Sequence, residues 1–164
     1  MSGLRERVLR DRARLLARPI EPERPPGVSS ILFRVAGQRY ALPLAEAMRI
    51  LPVEELSPLP GARSPLVGLA PWRGGLLPLV DLRLLGPSDA GPGIEDLTRI
   101  VVLGDDASPV GVLVESVEDV AAVDFAGLTA LADEAADRRH IRGVTADAVL
   151  VLDSSGFLEL VRGG

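Results

Sequence analysis

The sequence predicts an all-β protein, two similar small β-barrels packed together. Three observations carry that prediction. Short apolar runs of strand length are separated by turns bearing Gly and Pro, which number 17 and 14 among 164 residues, and such punctuation favours all-β architecture. The syntax of the first half returns in the second: Gly37 matches Gly104, Gly68 matches Gly143 and Asp81 matches Asp153. A repeat of about 70 residues is too long for a solenoid unit and fits a duplicated barrel. The apolar fraction is 47% but the aromatic fraction only 3%, so aliphatic side chains must build the core.

The elements follow in order. Residues 1–18, MSGLRERVLRDRARLLAR, read as a helix with Leu4, Val8 and Leu15 on one face and six Arg,. It reads as a solvated helix, an amphipathic docking segment for an acidic partner, or a helix that folds back on the body; a membrane-surface helix is a weaker reading, since the apolar face lacks aromatic anchors. Residues 19–28 hold four Pro and form an extended linker,, so the folded body begins near Ser29. Ile31, Phe33 and Val35 alternate with Leu32 and Arg34 in a first strand. Gly37-Gln38 turns it back through Tyr40-Ala41-Leu42,. Pro43 then opens a short helical segment, LAEAMRI,. Residues 52–65, with four Pro, form an irregular loop.

Leu66 to Arg83, LVGLAPWRGGLLPLVDLR, organises the chain. Two buried strands are joined by a tight turn at Trp72-Arg73-Gly74-Gly75, where Gly supplies positive φ,. Arg73 is expected on a rigid corner close to the core, with a partner or an exit to solvent. Trp72 is either core packing or an exposed interface anchor. Asp81 caps a short helix through Leu85 that Gly86-Pro87 stops,. Residues 86–96 form an exposed loop. The second half gives strands at 98–103 and 110–115, polar-apolar alternation from Ser116 to Asp124 and a helical or mobile stretch at 126–138. Strands at 141–144 and 148–153 and a terminal helix complete it.

Composition excludes several functions. With no Cys and one His, the chain has no disulfide, thiol nucleophile or multi-His metal site. No apolar run reaches the roughly 18–20 residues of a membrane span, and the charged N-terminus lacks a signal-peptide core. A soluble, cytoplasmic protein without membrane insertion is expected. All 18 basic residues are Arg, which reads as coding bias. Residues 1–24 carry a net +3 and the rest a net −8. That acidic body and five aromatics argue against a nucleic-acid partner. Ser29-Ser30, Ser154-Ser155, His140 and Asp105-Asp106 supply no nucleophile, phosphate or metal motif,. Asp105-Asp106 suits a turn, and His140, among Arg138, Arg139 and Arg142, reads as a surface residue. No catalytic residue, metal or cofactor is expected. Asp81 and Asp153 read as equivalent caps rather than an acid-base pair.

Three motifs resemble the CheW-like domains, adaptor modules of bacterial chemosensory arrays: FRVAGQRYALPL with AEAMRIL, GLAPWRGGLLPLVDLR, and VGVLVESVEDV. The resemblance spans about residues 30–160. It implies two five-stranded SH3-like barrels within residues 29–164, with halves at about 30–85 and 98–160. It also implies a non-catalytic scaffold that bridges a chemoreceptor's cytoplasmic tip to the regulatory domain of a CheA-type histidine kinase, recruited to receptor clusters. The receptor-facing groove would involve Arg73 and Gly74, Ala47, Arg49 and Ile50, and Gly111 and Val117. The family's Asn-Leu before the Arg is Pro71-Trp72 here, and Arg49 replaces an acid of many relatives. These departures point to a divergent paralogue that could bind only one of the two partners, or a private one.

Overall fold

The structure, a computed structural model, describes residues 27–85, 96–131 and 138–163. The helix expected over 1–18, the linker through residue 26, the loop at 86–95 and residues 132–137 lie outside the described residues.

The first half forms β1 (Val28–Val35), β2 (Gln38–Pro43), β3 (Ala47–Pro52), β4 (Ser57–Pro58), β5 (Leu66–Trp72) and β6 (Gly75–Asp81). The second forms β7 (Arg99–Gly104), β8 (Pro109–Val114), β9 (Ser116–Val123), β10 (Ile141–Val144), β11 (Leu150–Leu152) and helix α1 (Ser154–Gly163). They build two sheets, one of five strands in the order β10-β11-β2-β1-β9 and one of six in the order β3-β7-β8-β6-β5-β4. The all-β expectation holds. The sixth strand is the two-residue β4, whose counterpart in the other sheet is a single bridge, Thr129 to Val144.

The sheets do not follow the repeat. Hairpin β1–β2 belongs to the first half of the chain but joins β9, β10 and β11. Hairpin β7–β8 belongs to the second half but joins β3 to β6. The exchange is symmetric. β11 runs parallel to β2 (Val151 opposite Ala41), and β6 runs parallel to β8 (Leu79 opposite Gly111). Each barrel therefore draws strands from both of the stretches, 30–85 and 98–160, that the sequence pairs as halves.

Period-two alternation explains the core. Ile31, Phe33 and Val35 of β1 meet Val101 and Leu103 of β7, together with Val112, Leu152 and Phe157, in a cluster between the sheets. The neighbouring residues turn into the barrels: Ile100 and Val102 join Leu77 and Leu79 in one, Leu32 joins Val149 and Val151 in the other. A strand buried on both faces reads as a continuous apolar run, as Ile100-Val101-Val102-Leu103 does in β7,.

One expected element differs. LAEAMRI is not helical as a whole: only Leu44–Glu46 form a single 3-10 turn. From Ala47 the chain pairs antiparallel with β7, Ala47 opposite Leu103 and Pro52 opposite Arg99. The ladder offered by β7 overrides the local helical preference of this segment.

The paired caps are real. Asp81 Oδ1 accepts the Arg83 backbone N–H at 3.0 Å as Leu82–Leu85 make a 3-10 turn. Asp153 Oδ1 accepts the Gly156 N–H at 3.1 Å at the start of α1. The first cap carries an additional ion pair. Arg83 Nη2 lies 2.8 Å from Asp81 Oδ2 and Arg83 Nε 3.0 Å from Asp81 Oδ1, both residues being buried.

Candidate functional site

Arg73 sits in a two-residue turn. Trp72 and Gly75 face each other across β5 and β6, and Arg73 and Gly74 have φ of 45° and 78°. Positive φ at both central positions gives a hairpin turn that matches the strand twist. Gly74 accepts this at no steric cost, whereas Arg73 occupies a region uncommon for a residue with a side chain. Trp72 keeps the corner against the barrel, but the Arg73 side chain itself leaves the core and is exposed. Its guanidinium lies over the Trp72 ring, 4.8 Å from the centroid, a cation–π contact. Its Nη1 donates to Asp106 Oδ1 at 2.9 Å. Trp72 is half-buried, packed against the barrel core on one side and carrying Arg73 on the other.

The remaining candidates spread over three strands. Arg49 and Ile50 are exposed on the edge strand β3, Ile50 by 40%. Ala47 at the start of β3 and Val117 of β9 are half-buried against the cluster shared by the two sheets. Ala47 pairs with Leu103, next to the Gly104 that leads into the β7–β8 turn. Leu79 opposite Gly111 sets the start of β6 beside that same turn. The start of β3, the turn holding Asp106 and the Arg73 corner thus lie at one end of the six-stranded sheet. Gly111 is different. It is buried, and a Cβ there would stand 2.7 Å from Ile100 Cγ2 and 2.8 Å from Leu79 Cδ2. It makes room for barrel packing and presents nothing to a partner.

Two features escaped sequence reasoning. A cavity of about 630 Å³ opens beside the corner, lined by Leu66, Leu76, Pro78, Val110 and Val161 with Arg162 at its edge. Leu76 there is 65% exposed. Leu76 and Pro78 continue the face on which Val80 enters the shared core, so period-two counting from Val80 could have found them. The second is His140, which is buried rather than on the surface. It is 5% exposed and lines a cavity of about 100 Å³ with Tyr40 and Leu82. Its carbonyl accepts the Asp153 N–H at 2.8 Å where β10 begins, so pairing of the strands draws it inward despite three neighbouring Arg. Burial raises the Tyr40 hydroxyl's pKa above its ordinary value, with Arg138 opposing the shift.

Among the described residues no group of three or more His, Cys, Asp or Glu could hold a metal ion. Among them, too, no helix is long and apolar enough to cross a membrane.

A family model described as CheW-like domain matches residues 29–162. The chain belongs to the CheW-like family. It is 31% identical over 123 residues to the chemotaxis protein CheW of Rhizobium meliloti, an alignment covering 73% of this chain and 78% of that protein. Its fold is similar to the crystal structure of the scaffolding protein TtCheW from Thermoanaerobacter tengcongensis. That likeness has a TM-score of 0.63 at 19% identity and covers 77% of this chain and 89% of that one. The CheW-like adaptors are non-catalytic, and this chain is a scaffold of that kind.

Proposed function

We propose that this CheW-family scaffold couples the cytoplasmic tip of a chemoreceptor to the regulatory domain of a CheA-type histidine kinase. The family match over residues 29–162, nearly all of the described body, carries this reading. The protein then works in the cytoplasm, at receptor clusters. The Arg73 corner is the receptor contact: a planar cation backed by an indole suits a carboxylate on a helical hairpin. Arg49 and Ile50 on the edge strand β3, separated from β6 by β7 and β8 in the same sheet, add a cationic and an apolar contact further along the surface. Co-purification with a receptor tip hairpin and with a kinase regulatory domain from the same genome tests the proposal. Retention of both is expected, and retention of neither refutes it. A second, one-partner reading rests on Arg49, an exposed cation where the family resemblance implies an acid; such a reversal selects a different partner surface. Retention of the kinase domain alone would establish it.

A further inference from the structure

Asp105 and Asp106 stand side by side in the β7–β8 turn and do different things. Asp105 builds the turn: its Oδ1 accepts the Ser108 backbone N–H at 2.7 Å, and its carbonyl accepts the same N–H at 3.2 Å. Asp106 reaches out of the turn to the Arg73 guanidinium on another hairpin, 33 positions away in sequence. Its side chain is 83% exposed and that of Arg73 55%. The turn is closed without Asp106, whose contribution is a carboxylate set against Arg73.

Arg73 is set up to receive one. Its backbone accepts a left-handed conformation that glycine would adopt freely,, and its guanidinium is backed by Trp72. A guanidinium offers five N–H donors in a fixed fork, and Asp106 engages it through Nη1. A carboxylate approaching head-on could take two parallel N–H bonds instead, the stronger arrangement.

We propose that Asp106 is an internal stand-in for a partner's carboxylate. It holds Arg73 against Trp72 in the free protein and yields it to an Asp or Glu of the docking helix. This rests on Arg73 serving the receptor contact proposed above. Exchange of one carboxylate for another leaves the guanidinium paired in both states. It also adds selectivity. A partner acid that reaches Arg73 without displacing Asp106 brings two carboxylates together, so only one placed to take over the fork is accepted. An exposed ion pair is weak enough to exchange, and as a competitor it lowers partner affinity by only about two- to five-fold.

The test is a double-mutant cycle on the full chain, with Asp106→Asn and Arg73→Ala singly and together. The probe is an isolated receptor tip hairpin from the same genome, titrated at low and at high salt. Asp106→Asn is expected to tighten binding about two- to five-fold at low salt, with a steeper salt dependence, since a competing anion is removed. In the Arg73→Ala background the same change is expected to do nothing. Looser or unchanged binding by Asp106→Asn while the parent binds defeats the exchange and leaves the receptor reading standing. The same gain in both backgrounds also defeats it, because Asp106 would then act by general charge. No binding by any of the four proteins defeats the receptor reading and the exchange together. Asp105→Asn serves as the control. Its amide oxygen can still accept the Ser108 N–H, so it should leave both the melting temperature and the affinity near those of the parent.

Discussion

Asp81 and Arg83 form a charged pair that serves the fold. Both side chains are almost fully enclosed, and the hydrogen bonds that Arg83 donates to the Asp81 carboxylate hold its guanidinium above its ordinary pKa against the cost of burial. Removing one partner leaves a buried charge unpaired, so Arg83→Leu is expected to destabilise the fold by about 3–5 kcal/mol. Chemical denaturation measures this, and adding Asp81→Asn should return part of the loss. A surface ion pair behaves differently. Glu118 on β9 bridges Arg34 of β1, in a close contact, and Arg39 of β2 at 3.0 Å. The Arg34 hydrogen bond is the main reason its carboxyl titrates below the ordinary value of 4.5. A depressed carboxylate stabilises the fold above its unfolded pKa and loses that contribution as pH falls through the folded one. Melting curves of Glu118→Gln and the parent should therefore differ at pH 7 and draw together as the pH falls below the ordinary carboxylate value; an unchanged gap in acid would show that Glu118 acts by packing. Arg73→Ala should leave the melting temperature nearly unchanged and weaken receptor-tip binding about ten-fold, the weight of one charge-assisted hydrogen bond. Arg73 was legible because an isolated cation interrupts an apolar run beside two glycines. Asp106 was not, since turns favour Asp anyway, and its partner lies on another hairpin. The side chain of Arg83 was passed over because two residues of local sequence do not reveal burial.

Among the elements, the hairpins were the most legible, because alternation and Gly-bearing turns are local signals. The 3-10 turn and strand at residues 44–52 were not, because the segment becomes a strand only where β7 presents its edge. The duplicated glycines were seen as a pattern, and the structure supplies their cause. Across β5, Pro58 of β4 lies opposite Gly68, and a Cβ on Gly68 would come 2.9 Å from the Ser57 carbonyl oxygen. At Gly143 a Cβ would come 2.9 Å from Leu128 Cβ and 3.1 Å from the Thr129 carbonyl oxygen. In both barrels a short edge segment crosses the strand at its glycine. Gly143→Ala must push that segment away, at a cost of about 1–3 kcal/mol. The first bonds to go should be those between Thr129 and Val144, each 2.9 Å in the parent. Amide exchange reads this directly: faster exchange at Thr129 and Val144 with slow exchange retained along β1 is expected. Uniform acceleration would mean that the edge segment is not a separable unit.

At the scale of the whole molecule, the repeat was legible and the exchange of hairpins was not, since a repeat in sequence says nothing about which copy supplies a neighbour. The exchange has a mechanical consequence. Residues 27–85 alone would hold β3 and β6 without the β7–β8 hairpin that lies between them. Residues 96–163 alone would likewise hold β9 and β11 without β1 and β2. Each half would expose one side of the shared cluster, where Ile31, Phe33 and Leu42 meet Val101, Leu103 and Val112. Neither half has its own complete core, so the two barrels should fold together in one transition. The chain provides a place to test this, because the halves are joined through residues 86–95. A protease site introduced there and cut should leave two pieces that stay together on size exclusion and melt as a single unit at a lower temperature. Separation in denaturant should yield two pieces without cooperative unfolding, and mixing them should restore the transition. The opposite result, two pieces that each melt cooperatively alone, would mean that each barrel can close on strands of its own half. The parallel contacts β2·β11 and β6·β8 would then be contacts between finished domains rather than the seams that make one.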